Sequence, residues 1–135
     1  MEDFEELFFY AKNCFRNFFN FKERSSKSEF WFFQLFVFLF LIFFIIVDIY
    51  FVPSNQNLNE PELIFSNFFL LIQFIPSLSV SVRRLHDVNR SGWWMMLIFT
   101  GLGGLFLFYW WLKNGDRKSN KFGKVPKKFR DYVVN

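Results

Sequence analysis

Arg83-Arg84-Leu85-His86-Asp87-Val88-Asn89-Arg90-Ser91-Gly92-Trp93-Trp94 sets three arginines, the chain's single histidine and a carboxylate between two long apolar runs. A charged knot flanked in that way reads as a turn at a membrane surface. Leu63 to Val82 is 20 residues without Lys, Arg, Asp or Glu, Ser91 to Leu112 is 22, and Phe30 to Val47 adds another 18. A helix that crosses a bilayer needs about 20 predominantly apolar residues. The chain of 135 residues holds 25 phenylalanines, gathered into these blocks instead of spread through half-buried elements, which points away from a soluble core. The expected fold is an all-α integral membrane protein: an N-terminal amphipathic interfacial helix followed by three hydrophobic helical segments, in a single membrane domain over 1–135.

A cleaved signal peptide is not expected, because the first 29 residues carry eleven charges and open on Glu2, Asp3, Glu5 and Glu6. Cys14 is the one cysteine, so neither an internal disulfide nor a cysteine metal cluster is expected, and it reads as a small apolar residue on a helix. Phe4, Leu7, Phe8, Ala11, Phe15, Phe18 and Phe19 recur at helical spacing opposite Glu5, Glu6, Lys12, Asn13, Arg16 and Asn17. This predicts an amphipathic helix over 4–19. It lies either in the membrane interface or packed on the other helices of its own chain.

Ser26-Lys27-Ser28-Glu29 fits a capping box and opens a first span over 26–52, with Trp31 one turn inside as an interface anchor. Asp48, near the far end, reads as a solvated helix-end residue, because a carboxylate at mid-depth costs about 3 kcal/mol on insertion scales. The connection from Pro53 to Glu62 is polar and lacks Lys and Arg. A second span over 63–87 contains Asn67, Gln73, Pro76, Ser77, Ser79 and Ser81. Small and hydroxyl residues let helices approach closely, so this span is expected at the centre, kinked at Pro76.

The third run, 91–112, has Trp93 and Trp94 at one end, Trp110 and Trp111 at the other, and Gly101, Gly103 and Gly104 between. Of the sixteen Lys and Arg residues, five precede span one, none lies in the first loop, three fall in the Arg83–Arg90 turn and eight follow Leu112. Basic loops stay in the cytoplasm, which puts the N-terminus and the arginine turn inside and the first loop outside. A third full crossing would carry the basic tail, 113–135, outside. A helical hairpin broken at the glycines would keep it inside, provided its turn is buried in protein. Twenty-two residues is the length of one span, so both arrangements stand, with the charge balance favouring a cytoplasmic tail.

Arg83-Arg84-Leu85-His86-Asp87 with Arg90-Ser91-Gly92-Trp93-Trp94 closely resembles the signature of the bacterial inner-membrane family called domain of unknown function 805. Arg24-Ser25-Ser26-Lys27-Ser28-Glu29-Phe30-Trp31 is similar to that family's Gly-Arg-x-Ser-Arg-Lys-Glu-Phe-Trp opening, and Asn120-Lys121-Phe122-Gly123 with Pro126 to its Asn-Arg-Phe-Gly-x-x-Pro tail. Glu23 stands where the family usually has glycine, and Ser26 and Ser28 where it often has Arg or Lys. The resemblance implies a small multi-pass protein of the bacterial inner membrane, and no shared activity.

The candidate site is the cytoplasmic face: Arg83, Arg84, His86, Asp87 and Arg90, joined by Arg24, Lys27 and Asn120 if the tail is inside. On a continuing helix Arg83 and Asp87 stand at i,i+4 and share a face. Arg84 and Arg90 would then turn to phosphates, where a guanidinium makes paired charged hydrogen bonds. The leading reading is a noncatalytic module that binds an anionic lipid headgroup or a partner protein's carboxylate there; against it stands arginine as a plain topology determinant. An enzyme built on His86 and Asp87 lacks a second catalytic group. A transporter or channel subunit lacks a charge at mid-depth and would need several copies. Nucleic acid is a poorer partner for the basic tail than the anionic leaflet. No cofactor or metal is implied, one histidine with scattered carboxylates being a weak ligand set. The partners expected are the bilayer itself, a membrane-protein partner or a second copy.

Overall fold

The computed structural model describes residues 2–51, 63–127 and 131. The first loop, including Asn57, lies outside them. Four α-helices occur among these residues, α1 Glu2–Arg16, α2 Lys27–Phe51, α3 Ile64–Asp87 and α4 Gly103–Leu112, with a 3-10 segment at Gly92–Thr100. There is no strand among them, only an isolated bridge between Asn120 and Gly123.

The amphipathic pattern of α1 resolves into two apolar stripes. Leu7, Tyr10, Ala11 and Cys14, at i, i+3, i+4 and i+7, are buried, while Phe4, Phe8 and Phe15 stay exposed. The buried stripe packs on α2, where Tyr10 stacks on Phe32 and Phe15 meets Phe33 edge-on. Phe18 and Phe19 fall in the turn after the helix.

α2 opens on Ser26, whose hydroxyl accepts the Glu29 N–H at 3.0 Å. Only that half of the capping box forms. The Glu29 carboxylate turns instead to the guanidinium of Arg83, a stronger partner than a backbone N–H. Twenty-five residues in α2 and 24 in α3 each reach about 36 Å at about 1.5 Å per residue, enough to cross the hydrocarbon layer.

At the far end α3 receives its N-cap from its neighbour. Asp48 on α2 accepts the backbone N–H groups of Phe65 (2.9 Å) and Ser66 (2.8 Å) and the Ser66 hydroxyl. Asp48 is fully buried, which corrects its reading as a solvated residue. A carboxylate that accepts the orphan N–H groups of a facing helix has its hydration replaced in kind. Pro76 lies inside α3 without ending it. Ser79 donates to the carbonyls of Asn17 and Asn20 and so ties α3 to the α1–α2 linker.

The apolar core joins Ala11 and Cys14 of α1, Phe30 and Phe33 of α2 and Val80 of α3, with Trp111 packed against it. Elsewhere the outward faces of α2 and α3 are bare hydrocarbon, among them Phe38, Phe43, Phe68 and Phe74.

The third run doubles back. Gly101, at φ 69° and ψ −77°, makes a tight three-residue turn closed by the Leu102 N–H on the Thr100 carbonyl at 2.8 Å, a strained backbone shape that glycine adopts most readily for want of a Cβ, and the two arms then lie side by side with Trp94 against Trp110. A Cβ on Gly103 would overlap the Leu97 carbonyl, so the arms close only over glycine. Nine residues of 3-10 helix and ten of α-helix reach roughly 18 and 15 Å, each about half the thickness of the hydrocarbon layer.

Candidate functional site

α3 ends in a tight helix stop. Asn89 takes φ 59°, and the N–H groups of Asn89 and Arg90 return to the carbonyls of His86 and Leu85. Asn tolerates that left-handed position, and the double return bond is the Schellman arrangement. Against this helix end the α1–α2 linker and the segment after α4 both converge.

Asp87 sits between two guanidinium groups. One carboxylate oxygen accepts Arg24 Nε (3.1 Å) and Nη2 (2.9 Å), and the other accepts Arg84 Nη1. Arg24 sends its remaining N–H groups to the carbonyls of Asp116 (2.6 Å), Lys118 (2.9 Å) and Gly123 (3.3 Å). Arg84 donates to the carbonyls of Trp111 and Lys113. A guanidinium offers five N–H donors in a fixed fork, and here the forks are filled by carboxylate and tail backbone. The Asp116 N–H closes the circuit on the Asp87 carbonyl at 2.9 Å. Gly115 lies against the Asp87 carboxylate, where a Cβ would overlap it.

The expected Arg83–Asp87 pair does not form. Asp87 is taken by Arg24 and Arg84, and Arg83 points to the other side of α3, donating to Glu29 at 2.9 Å and weakly to the Cys14 sulfur. Cys14 and Asn13 also donate to Glu29. Burial, reinforced by the Glu29 charge, pushes the Cys14 thiol well above the usual range, so it stays protonated. Arg24, Arg83 and Arg84 are all buried and present no guanidinium to the surface.

His86 is also enclosed. Its Nδ1 meets the Glu23 carbonyl at 3.1 Å and its ring stacks on Phe122 at 3.8 Å, 4° from parallel. Asn120 donates to the His86 carbonyl and to Asp116, and accepts the Phe122 N–H, which shapes the tail turn. Arg90 and Lys27 are exposed; Arg90 lies over the Trp110 ring at 5.0 Å. Of the interface anchors, Trp93 and Trp94 are exposed, whereas Trp31, Trp110 and Trp111 are half-buried, with Trp111 tilted on Phe30. Among the described residues no three His, Cys, Asp or Glu side chains converge as a metal site requires.

Glu29, Asp116, Gly115 and Phe122 belong to this cluster and were not singled out as site residues from sequence. The Asn114-Gly115 pair is a turn signal that points to this segment, but Asp87, against which Gly115 packs, lies 28 residues before that glycine.

The geometry is that of a small helical protein with two helices long and apolar enough to cross a membrane and with its ion pairs collected around the end of α3. The chain belongs to the family described as "Protein of unknown function (DUF805)", whose model matches residues 18–124. It is 34% identical over 113 residues to the inner membrane protein YhaI of Escherichia coli K12, an alignment covering 83% of this chain and 90% of that one. To inner membrane protein YhaH of the same organism it is 27% identical, over 83% and 91% of the two chains. No solved structure gives a significant match.

Proposed function

We propose that the protein is a noncatalytic module of the bacterial inner membrane whose cytoplasmic face is a basic platform for anionic lipid headgroups. One observation carries this reading. Buried Arg24 and Arg84 spend their hydrogen bonds on Asp87 and on the backbone of the end of α4 and the tail, while the tail's own Lys113, Arg117, Lys118, Lys121 and Lys124 all stay exposed. Arg24 and Arg84 build the platform; the tail cations, with Arg90, Lys22 and Lys27, meet the phosphates. Each cation near an anionic leaflet contributes about 1 kcal/mol, so five or more suffice for firm contact.

The same bonds favour two crossings with both termini inside. Arg84 holds both ends of α4's exit, the Trp111 and Lys113 carbonyls, beside Asp87, so the third run leaves the membrane where it entered. The positive-inside rule then places that end in the cytoplasm. α1 would lie at this interface with Phe4, Phe8 and Phe15 toward the acyl chains. A catalytic His86–Asp87 pair is disfavoured because Asp87 is neutralised by two arginines and His86 is capped by Glu23 and Phe122.

The test is Arg117→Gln/Lys118→Gln/Lys121→Gln/Lys124→Gln, which leaves the backbone contacts of Arg24 intact. Wild-type protein extracted in mild detergent should retain phosphatidylglycerol and cardiolipin several-fold above their share of the membrane. The variant should retain lipids in membrane proportions, and equal enrichment would overturn the reading.

A further inference from the structure

We propose that the groove between α3 and the 3-10 segment holds an acyl chain of one anionic phospholipid. Its phosphate lies toward Arg90 and Lys113. The site rests on the cytoplasmic-face reading above and assigns it a specific lipid position.

The groove encloses about 390 Å³, inside the range of about 300–1,000 Å³ typical of ligand pockets. Phe74 and Leu78 of α3 form one wall, and Met95, Met96, Ile98 and Phe99 of the 3-10 segment the other, with Ser77 and Ser81 at the floor. No charged residue lines it. Two methionines suit a flexible hydrocarbon occupant, because an unbranched thioether adapts to irregular shapes. Ser77 and Ser81 turn to α3 itself, accepting from Gln73 and donating to the Ser77 carbonyl, and leave the floor smooth.

The charges beside these walls specify the lipid's polar end. Trp111 lines the groove from α4. Arg90, two residues before the 3-10 segment, and Lys113, directly after α4, are both exposed at the cytoplasmic end of these walls. The nearby Asp87 is already paired with Arg24 and Arg84. The rim is therefore cationic above neutral apolar walls, the charge complement of an anionic phospholipid.

Native mass spectrometry of the full chain, offered phosphatidylglycerol or phosphatidylethanolamine with the same acyl chains, tests this. Wild-type protein should hold one phosphatidylglycerol per chain in preference to phosphatidylethanolamine. Arg90→Gln/Lys113→Gln should bind the two lipids alike. Ser77→Leu, which fills the floor, should hold neither; Met96→Trp fills the groove from the opposite wall should the first variant fail to fold. Lipid retention by both filled variants overturns the site, and so does a dimer that Met96→Trp dissociates, which would make a second copy the occupant. Loss of enrichment in the tail variant alone, with the groove variants still binding, removes the groove and leaves the platform standing.

Discussion

Arg24 and Asp87, 63 residues apart in the chain, form an ion pair at 2.9 Å with side chains only 1% and 6% exposed. Around it the linker before α2, the end of α3 and the segment after α4 share one set of hydrogen bonds. Breaking a buried pair by removing one partner costs about 3–5 kcal/mol, since it leaves charge uncompensated. Asp87→Asn strands two guanidinium groups, so its thermal unfolding in detergent should fall well below that of wild type. An unchanged midpoint would show that the pair is not the lock.

The two glycines that open α4 should behave differently. A Cβ at Gly103 meets the Leu97 carbonyl and Thr100, whereas at Gly104 it meets nothing within 4 Å. Gly103→Ala should destabilise by about 1–3 kcal/mol, as overpacking does, and Gly104→Ala should be neutral or slightly stabilising. Equal effects in a denaturation series would refute the hairpin packing.

Single cysteines at Asn89 and Asn120, with Cys14 replaced, should both escape an impermeant thiol reagent in intact cells and both react after the membrane is opened. Asn120 lies within hydrogen-bonding distance of the His86 carbonyl, so the two positions share a side. Labelling at Asn120 in intact cells would remove the cytoplasmic tail.

Cys14 should resist alkylation. The unfolded thiol ionises near 9.0 while the buried one is pushed well above that. The folded state then keeps a proton that the unfolded state releases, so the thiol's contribution to stability declines as pH rises past 9.0. Maleimide labelling should be about 100-fold slower in the folded protein than in denaturing detergent, because the thiolate is the reactive form. Comparable rates would mean that the Cys14–Glu29–Arg83 cluster opens readily.

Asp48→Ala should cost about 1–3 kcal/mol, the penalty for leaving the Phe65 and Ser66 donors unpartnered. Hydrogen exchange should rise selectively in the first turn of α3. No change there would mean that the cap is dispensable.

Most of the architecture was legible because it depends on local composition. Ser26 marked the start of α2, and two of the apolar runs marked the helices long enough to cross a membrane, since helix starts and membrane-length runs are set by nearest neighbours. The glycines of the third run suggested a break, and Gly101 makes one. What could not be read was partner choice. Helical spacing joined Arg83 to Asp87, yet Asp87 takes Arg24 from a distant linker and Arg83 takes Glu29. Asp48 read as solvated because the N–H groups it caps belong to another helix.

The amino-acid order alone established a helical membrane protein, its family and the clustering of its charges beside the apolar runs, because hydropathy and charge are properties of each segment and act without contacts. Only the tertiary structure decided that Arg24, Arg83 and Arg84 are enclosed, and that the tail's own cations face out in their place. The reason is that a buried guanidinium must find an acceptor for nearly every N–H. For Arg24 and Arg84 those acceptors are Asp87 and backbone carbonyls brought together only when the third run folds back beside α3, and for Arg83 the acceptor is Glu29 across the α2–α3 contact.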